Sequence, residues 1–191
     1  MTYILCAFEI EARALIDRYK LQKGKSGPYK IFSNEDILVF ISGMGQDNAV
    51  EAIQNMLLNF PNTHKDIFIN LGICAAQSSY EIGEILQIKK LKDEEASHLL
   101  KTPDSGIKTV SCFSSKVPLD RPVNEDIAEM EAMSFYTNIR EYYEAKNISF
   151  LKVVSDHFNP NKPDKQFIIS LIQKNISKID EHLNQMRKEA L

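Results

Sequence analysis

The chain has 191 residues, of which 43% are hydrophobic and 26% are charged, the ordinary mixture of a globular protein. It has 23 Lys and Arg residues and 26 Asp and Glu residues. This balance of charge and the lack of a basic cluster argue against a nucleic-acid partner. The length suits a single domain over residues 1–191, and no apolar run is long enough to predict a membrane span.

The start of the chain and its cysteines indicate a cellular compartment. Met1 leads directly into an apolar strand pattern, without the basic region and long apolar segment of a signal peptide. The three Cys residues are far apart, and each lies in an apolar run, which is typical of buried free thiols: Cys6, Cys74 and Cys112. We therefore expect a cytoplasmic protein without a disulfide or zinc framework.

Strand and helix patterns alternate along the chain. Strand patterns cover residues 2–7, 29–32, 36–41, 66–72, 81–90, 107–113, 126–131 and 148–154. Helical patterns cover residues 9–16, 46–60 and 132–146, and a long C-terminal helix opens at 161–164. Segment 23–28 is predicted to be a turn, and segment 92–106 a loop with one helical turn. This alternation predicts a single α/β domain.

Carboxylates follow the ends of several predicted strands. Glu11 lies in the first helical turn after the first strand, Glu129 and Glu131 flank Met130, and Asp156 follows the last strand. Ligands of open α/β sheets bind outside the carboxyl ends of the strands. Carboxylates brought to this edge by different strands can do acid and base work on one ligand.

Each of these carboxylates also has a purely structural interpretation. Residues 124–145 can be read as one amphipathic helix, which would place Glu129 and Glu131 in solvent. Asp156 suits a helix N-cap or a turn, and Glu11 suits the positive end of a helix dipole. Spacing alone favours these structural interpretations.

Five short segments nevertheless occur in a recognisable order: Ala7-Phe8-Glu9-Ile10-Glu11, Ser42-Gly43-Met44-Gly45, Asn70-Leu71-Gly72, Glu129-Met130-Glu131-Ala132 and Val154-Ser155-Asp156. From about residue 2 to residue 156 the sequence resembles the nucleoside phosphorylase/nucleosidase superfamily, and within it most resembles the 5′-methylthioadenosine/S-adenosylhomocysteine nucleosidases. The resemblance implies a twisted mixed β-sheet flanked by helices, a homodimer, and hydrolysis of an adenine nucleoside without a metal or organic cofactor.

The resemblance also implies a role for individual residues. Glu11 would activate the attacking water, and Asp156 would protonate the purine ring, with Asp rather than Asn favouring adenine. Met130 and Glu131 would hold the ribose, and Lys152 would lie near the nucleophile. The implied substrate-binding residues are Met44, Phe113, Glu129, Met130, Glu131, Lys152 and Ser155, with Met44 in the pocket wall and Phe113 stacked on the base.

The chain departs from the superfamily at three points. A Gly-Ser-Ala-Gly-Gly run is here Gly72-Ile73-Cys74-Ala75-Ala76, so that Ile73 replaces a serine that helps to hold the water. Segment 92–106 is short, and His157-Phe158-Asn159 is an unusual continuation after Asp156. The alternative functions are a purine nucleoside phosphorylase, an aminofutalosine-type nucleosidase, and a catalytically impaired nucleoside-binding protein.

Overall fold

A mixed β-sheet forms the centre of the fold, and the computed structural model describes residues 1–159 and 164–190. Within these residues the strands are β1 (Thr2–Cys6), β2 (Gln22–Ser26), β3 (Tyr29–Ser33), β4 (Ile37–Ile41), β5 (Ile67–Ala76), β6 (Ile85–Lys92), β7 (Ser97–Leu99), β8 (Thr109–Ser114), β9 (Ile127–Glu129) and β10 (Ile148–Asp156). The α-helices are α1 (Glu9–Tyr19), α2 (Gln46–Asn59), α3 (Ala132–Arg140), α4 (Lys165–Lys174) and α5 (Ile176–Glu189). No helix in the described ranges is long and apolar enough to cross a bilayer.

The strands that carry the site run parallel. β1 pairs in parallel with β4 and with β5, and β5 pairs in parallel with β10. Their apolar runs are buried because helices cover both faces of a parallel sheet. β10 also pairs with β6, which closes β5, β10, β6, β8 and β9 into a ring. The carboxyl ends of β1, β4, β5 and β10 therefore meet at one edge.

Helices pack on both faces of this sheet. On one face, α2 and α3 bury residues that include Ile53 and Phe135 against the aromatic side chains of β4, β5 and β10. On the other face, α1, α4 and α5 bury residues that include Leu15, Ile172 and Leu183. The structure thus confirms the predicted single-domain α/β fold with a mixed sheet flanked by helices.

The predicted C-terminal helix is two helices. α4 ends and α5 begins at Asn175, whose side-chain amide donates hydrogen bonds to the carbonyl oxygens of Leu171 and Gly83, both at 2.9 Å. The apolar stripe continues across this break, which explains why the pattern did not show it. Asp164 caps α4 by accepting hydrogen bonds from the backbone amides of residues 166 and 167. Residues 161–163 of the predicted opening lie outside the described residues.

Three other predictions about local structure are wrong. Most of segment 23–28 is the polar edge strand β2, and segment 92–106 contains the short strand β7, which pairs with β6. The helix predicted to run to residue 146 ends at Arg140 and is followed by a 3-10 turn over Ala145–Asn147. The sequence pattern did not indicate β2 or β7, because both strands are polar and are stabilised by backbone pairing rather than by an apolar run.

The alternative of one helix over residues 124–145 is also wrong. Ile127–Glu129 forms strand β9, which pairs with β5 on one side and with β8 on the other. Glu129 therefore ends a strand, and Glu131 lies at the start of α3 rather than on a solvent-facing helix surface.

Candidate active site

A cavity of about 320 Å³ lies at the carboxyl ends of β1, β5, β9 and β10. Four acidic residues line it: Glu11, Glu129, Glu131 and Asp156. Apolar residues form most of the remaining wall, and they include Phe8, Met44, Ile73 and Met130. None of the described residues that line the cavity is Lys, Arg or His. The cavity is therefore acidic and apolar, a poor match for a phosphate group.

Glu11 is held at the base of this cavity by backbone donors. It is only 3% exposed, and its two carboxylate oxygens accept hydrogen bonds from the backbone amides of Phe8 at 2.9 Å and Ile73 at 3.0 Å. Gly72 permits this approach, since a Cβ there would lie 2.8 Å from Glu11 Oε1. Burial raises the pKa of Glu11, although these amides and the Lys152 charge oppose the shift.

Glu129 and Lys152 form an ion pair beside the cavity. Lys152 Nζ lies 2.9 Å from Glu129 Oε2, and both side chains are 1% exposed. The Glu129 carboxylate also accepts hydrogen bonds from the backbone amides of Glu131 and Ala132, which fixes the start of α3. The nearby carboxylates of Glu129, Glu131 and Glu11 raise the pKa of Lys152 despite its burial. Lys152 is therefore a buried cation shared among three acids.

Glu131 projects from the start of α3 toward the loop before α2. Its Oε1 accepts a hydrogen bond from the Gly45 backbone amide at 2.7 Å. Burial, followed by the charge of Glu129, raises the pKa of Glu131 to about 7. Its Oε2 accepts no hydrogen bond from the described residues, which leaves that oxygen available to a ligand.

Asp156 lies at the end of β10, where a bulge interrupts the pairing with β5 between Val154 and Asp156. The bulge turns successive side chains toward the sheet edge. Ser155 Oγ donates toward Asp156 Oδ2 at 2.7 Å and toward the Cys74 carbonyl at 3.1 Å. Asp156 Oδ1 accepts the Asn159 backbone amide at 3.0 Å, so Asp156 also has the local turn role that its sequence position suggested.

Seven of the nine site residues predicted from the sequence line this cavity, and the other two do not. Glu11, Asp156, Met44, Glu129, Met130, Glu131 and Ser155 line the cavity. Lys152 does not line it and instead lies beneath it, bonded to Glu129. Phe113 does not line it either, because it lies within β8 before the strand reaches the cavity.

Sequence reasoning missed several lining residues. Ser115 follows the end of β8, Phe8 precedes α1, and both residues line the cavity. The rule that sites gather at carboxyl ends of strands would have found both.

The three cysteines are buried and free, as predicted, and burial raises the pKa of each thiol.

Solved nucleosidase structures share this fold over almost the whole chain. The 5′-methylthioadenosine nucleosidase of Arabidopsis thaliana matches with a TM-score of 0.78 at 14% identity, over 97% of this chain and 95% of that chain. The futalosine hydrolase of Helicobacter pylori strain 26695 matches with a TM-score of 0.78 at 13% identity, over 96% and 97%. The 5′-methylthioadenosine/S-adenosylhomocysteine nucleosidase of Campylobacter jejuni matches with a TM-score of 0.72 at 17% identity, over 100% and 99%.

No protein-family model and no curated protein sequence matches the chain. The similarity to these solved structures is therefore one of backbone fold. The chain has the nucleosidase fold of these solved structures.

The Glu129–Lys152 ion pair predicts that removal of the lysine alone destabilises the protein more than removal of both charges. Lys152→Met leaves Glu129 charged and buried without its cation, so the free energy of unfolding should fall by about 3–5 kcal/mol. Lys152→Met combined with Glu129→Gln should recover part of this loss, because the unpaired charge is gone. Urea unfolding of the two single variants and the double variant measures the coupling.

Lys30→Met is the matched control for that cycle. Lys30 also pairs with a glutamate, Glu9, at 3.1 Å, but its side chain is 55% exposed. An exposed pair of this kind contributes at most about 1 kcal/mol. Equal losses in Lys152→Met and Lys30→Met would contradict the assignment of Lys152 as the cation on which the buried acids depend.

The raised pKa of Glu131 predicts a pH-dependent stability. Since the folded pKa is about 7 and the ordinary value is 4.5, the folded protein holds a proton that the unfolded chain releases. This contribution is complete below pH 4.5 and is lost as the pH rises through about 7. The wild-type Tm should therefore fall relative to that of Glu131→Gln across this window.

Thermal melts at several pH values measure the difference between the two proteins. Glu181→Gln, which replaces an exposed acid on α5, provides the matched control. A constant Tm difference between wild type and Glu131→Gln at all pH values would show that the retained proton is not on Glu131.

Proposed function

We propose that this protein is a purine nucleosidase, which hydrolyses the N-glycosidic bond of an adenine nucleoside. The main observation in support is that Glu11, Glu131 and Asp156 line the same cavity. The described lining of this cavity contains no cationic side chain. These three acids come from α1, the start of α3 and the end of β10. The cavity has a volume of about 320 Å³, which lies within the range of small-molecule sites.

The proposed reaction uses the three carboxylates in different ways. Glu11 accepts a proton from water, and the water oxygen bonds to the anomeric carbon of the ribose. The bond from that carbon to the purine nitrogen breaks, and Asp156 supplies a proton to the purine ring, which leaves as neutral adenine. Glu131 accepts hydrogen bonds from the ribose hydroxyls, and its negative charge stabilises the oxocarbenium-like transition state.

The charge of the cavity favours hydrolysis over phosphorolysis. A phosphate co-substrate needs cationic side chains or a cluster of free backbone amides. The described lining of the cavity contains four acids and no Lys, Arg or His, and the Gly45 amide is already bonded to Glu131. Water is therefore the nucleophile that we propose.

Ile73 bears on the alternative of an impaired binding protein. The serine hydroxyl implied by the resemblance is absent at this position, but the Ile73 backbone amide still holds Glu11 at 3.0 Å. The substitution therefore removes one contact to the water and keeps the base in place. This supports a catalytically active site rather than an impaired one. The 5′ substituent of the nucleoside substrate can be a methylthio, homocysteinyl or aminofutalosine-type group.

We also propose that the protein is a cytoplasmic homodimer. Met44 and Val117 at the cavity mouth are 47% and 60% exposed, and a partner subunit would cover such apolar side chains. Light scattering at micromolar concentration should report twice the mass of the chain, and a monomer there would contradict the dimer.

The proposed activity is tested by the release of adenine from a panel of nucleosides, with and without inorganic phosphate. We expect release from adenine nucleosides but not from 6-oxopurine nucleosides, and no stimulation by phosphate. Stimulation with formation of a sugar phosphate would identify a phosphorylase. Calorimetric binding without adenine release would identify the impaired binding protein.

Asp156→Asn separates the catalytic role from the turn role. Asparagine retains an oxygen for the Asn159 amide but delivers no proton, so turnover should fall about 10²–10⁴-fold while the fold is kept. Adenine release and Tm are measured on the same preparation. Asp164→Asn is the matched control, because Asp164 caps α4 outside the cavity and Asn caps about as well as Asp.

Full activity in Asp156→Asn would exclude Asp156 as the acid. If the variant loses stability, activity is compared at a temperature well below its Tm, where a folded but inactive protein still supports the catalytic role.

A further inference from the structure

The chain makes an unusual turn directly after Asp156, the proposed acid. Phe158 in this turn has a φ of +58°, in the left-handed region that bulky side chains rarely adopt. Among the described residues, Lys20 at the end of α1 is the other non-glycine residue with a positive φ. Backbone strain of this kind persists only where the surrounding structure holds it, and it is concentrated at functional sites. The strain at Phe158 therefore directs attention to the groups that the turn positions.

Three features hold the turn in place. The Asn159 amide donates to Asp156 Oδ1 at 3.0 Å, and His157 Nδ1 lies 3.1 Å from the carbonyl oxygen of Ala76 at the end of β5. Since a carbonyl oxygen only accepts, His157 donates through Nδ1. Phe158 is only 4% exposed, so the burial of its ring offsets the backbone strain. Asn159 lines the active-site cavity, whereas Phe158 does not. Phe158 can therefore affect the site only through its neighbours.

The turn gives the two carboxyl oxygens of Asp156 different partners. Oδ1 accepts the Asn159 amide, which can only donate, so Oδ1 remains an acceptor in both protonation states. Oδ2 lies 2.7 Å from Ser155 Oγ, which also lies 3.1 Å from the Cys74 carbonyl oxygen. The Ser155 hydroxyl can donate to Oδ2 when Asp156 is charged, and to the Cys74 carbonyl when Oδ2 carries a proton. Both protonation states are thus accommodated, with the proton on Oδ2.

We propose that Phe158 is a positioning residue for Asp156: its left-handed backbone directs the Asn159 amide onto Oδ1 and so reserves Oδ2 for the proton that passes to the purine. This inference rests on the proposed nucleosidase function. The proton leaves Oδ2 for a ring nitrogen of the purine as the N-glycosidic bond breaks, and the carboxylate that remains keeps the Asn159 amide on Oδ1. The turn coincides with His157-Phe158-Asn159, one of the points at which the sequence departs from the superfamily.

Two substitutions separate the backbone role of Phe158 from the burial of its ring. Phe158→Gly and Phe158→Ile both remove the ring, but glycine adopts a positive φ readily, whereas a β-branched residue does not. Because misplacement of a catalytic group by about 1 Å can cost about 10²-fold, kcat for adenine release should fall about 10- to 100-fold in Phe158→Ile. Phe158→Gly should retain most of the wild-type kcat, and KM should change less than kcat in Phe158→Ile. Each protein is assayed well below its own Tm.

Asp156→Asn supplies a readout that a merely structural role would not move. If Phe158 acts through the proton of Asp156, Phe158→Ile should lower kcat no further in the Asp156→Asn background. Losses that multiply in the double variant would overturn the inference, as would equal kcat values in Phe158→Gly and Phe158→Ile. Lys20→Ile is the matched control, because Lys20 has a φ of +52° but lies outside the cavity lining. Its Tm should fall while its kcat stays that of the wild type.

Hydrogen exchange of the Asn159 amide, followed by NMR, reports the turn independently of turnover. Exchange should be faster in Phe158→Ile and in Asp156→Ala, which lacks the acceptor, than in the wild type and Phe158→Gly. If the wild type releases no adenine, the proposed nucleosidase function fails, while this pattern of exchange still supports the placement of the amide by Phe158. The same exchange rate in all four proteins overturns the inference.

Discussion

The site depends on one buried ion pair, between Lys152 of β10 and Glu129 at the end of β9. The same Glu129 carboxylate accepts the backbone amides of Glu131 and Ala132, so this pair fixes both the beginning of α3 and the position of Glu131. One cation serves three buried acids, Glu11, Glu129 and Glu131, and it cannot balance all their charges. Burial raises the pKa values of Glu11 and Glu131, and for Glu131 the charge of Glu129 adds to the shift, because protonation removes a buried negative charge.

Backbone groups supply most of the geometry around these acids. The amides of Phe8 and Ile73 hold Glu11, the amide of Gly45 holds Glu131, and the bulge in β10 orients Ser155 and Asp156. All these groups lie where parallel strands end, so the sheet that forms the core also aligns the site. Such preorganised donors need no rearrangement when charge develops on a substrate. Solved nucleosidases at 12–17% identity share the fold that provides this alignment.

The sequence predicted those parts of the structure that leave a pattern in the side chains. The apolar runs of β5 and β10 indicated buried strands, and the residues after them indicated the site. The polar strand β2 and the break at Asn175 leave no such pattern, because backbone pairing and one side-chain amide determine them. Phe113 illustrates the same limit, since a stacking role depends on how far β8 extends, and the structure places Ser115 in the cavity instead.

Ile73 contributes to the site through both its backbone and its side chain. Its backbone amide binds Glu11, while its side chain adds an apolar surface to the same cavity. Burial raises the pKa of the Glu11 carboxyl, and the backbone amides of Phe8 and Ile73 are the strongest groups that oppose this shift. A general base with a raised pKa takes a proton from water more readily, provided that it is ionised at the working pH. Lys152 opposes the shift and favours the ionised form. The balance between burial and these opposing groups thus sets the strength of Glu11 as the proposed base, and Ile73 takes part in that balance through its backbone amide rather than its side chain.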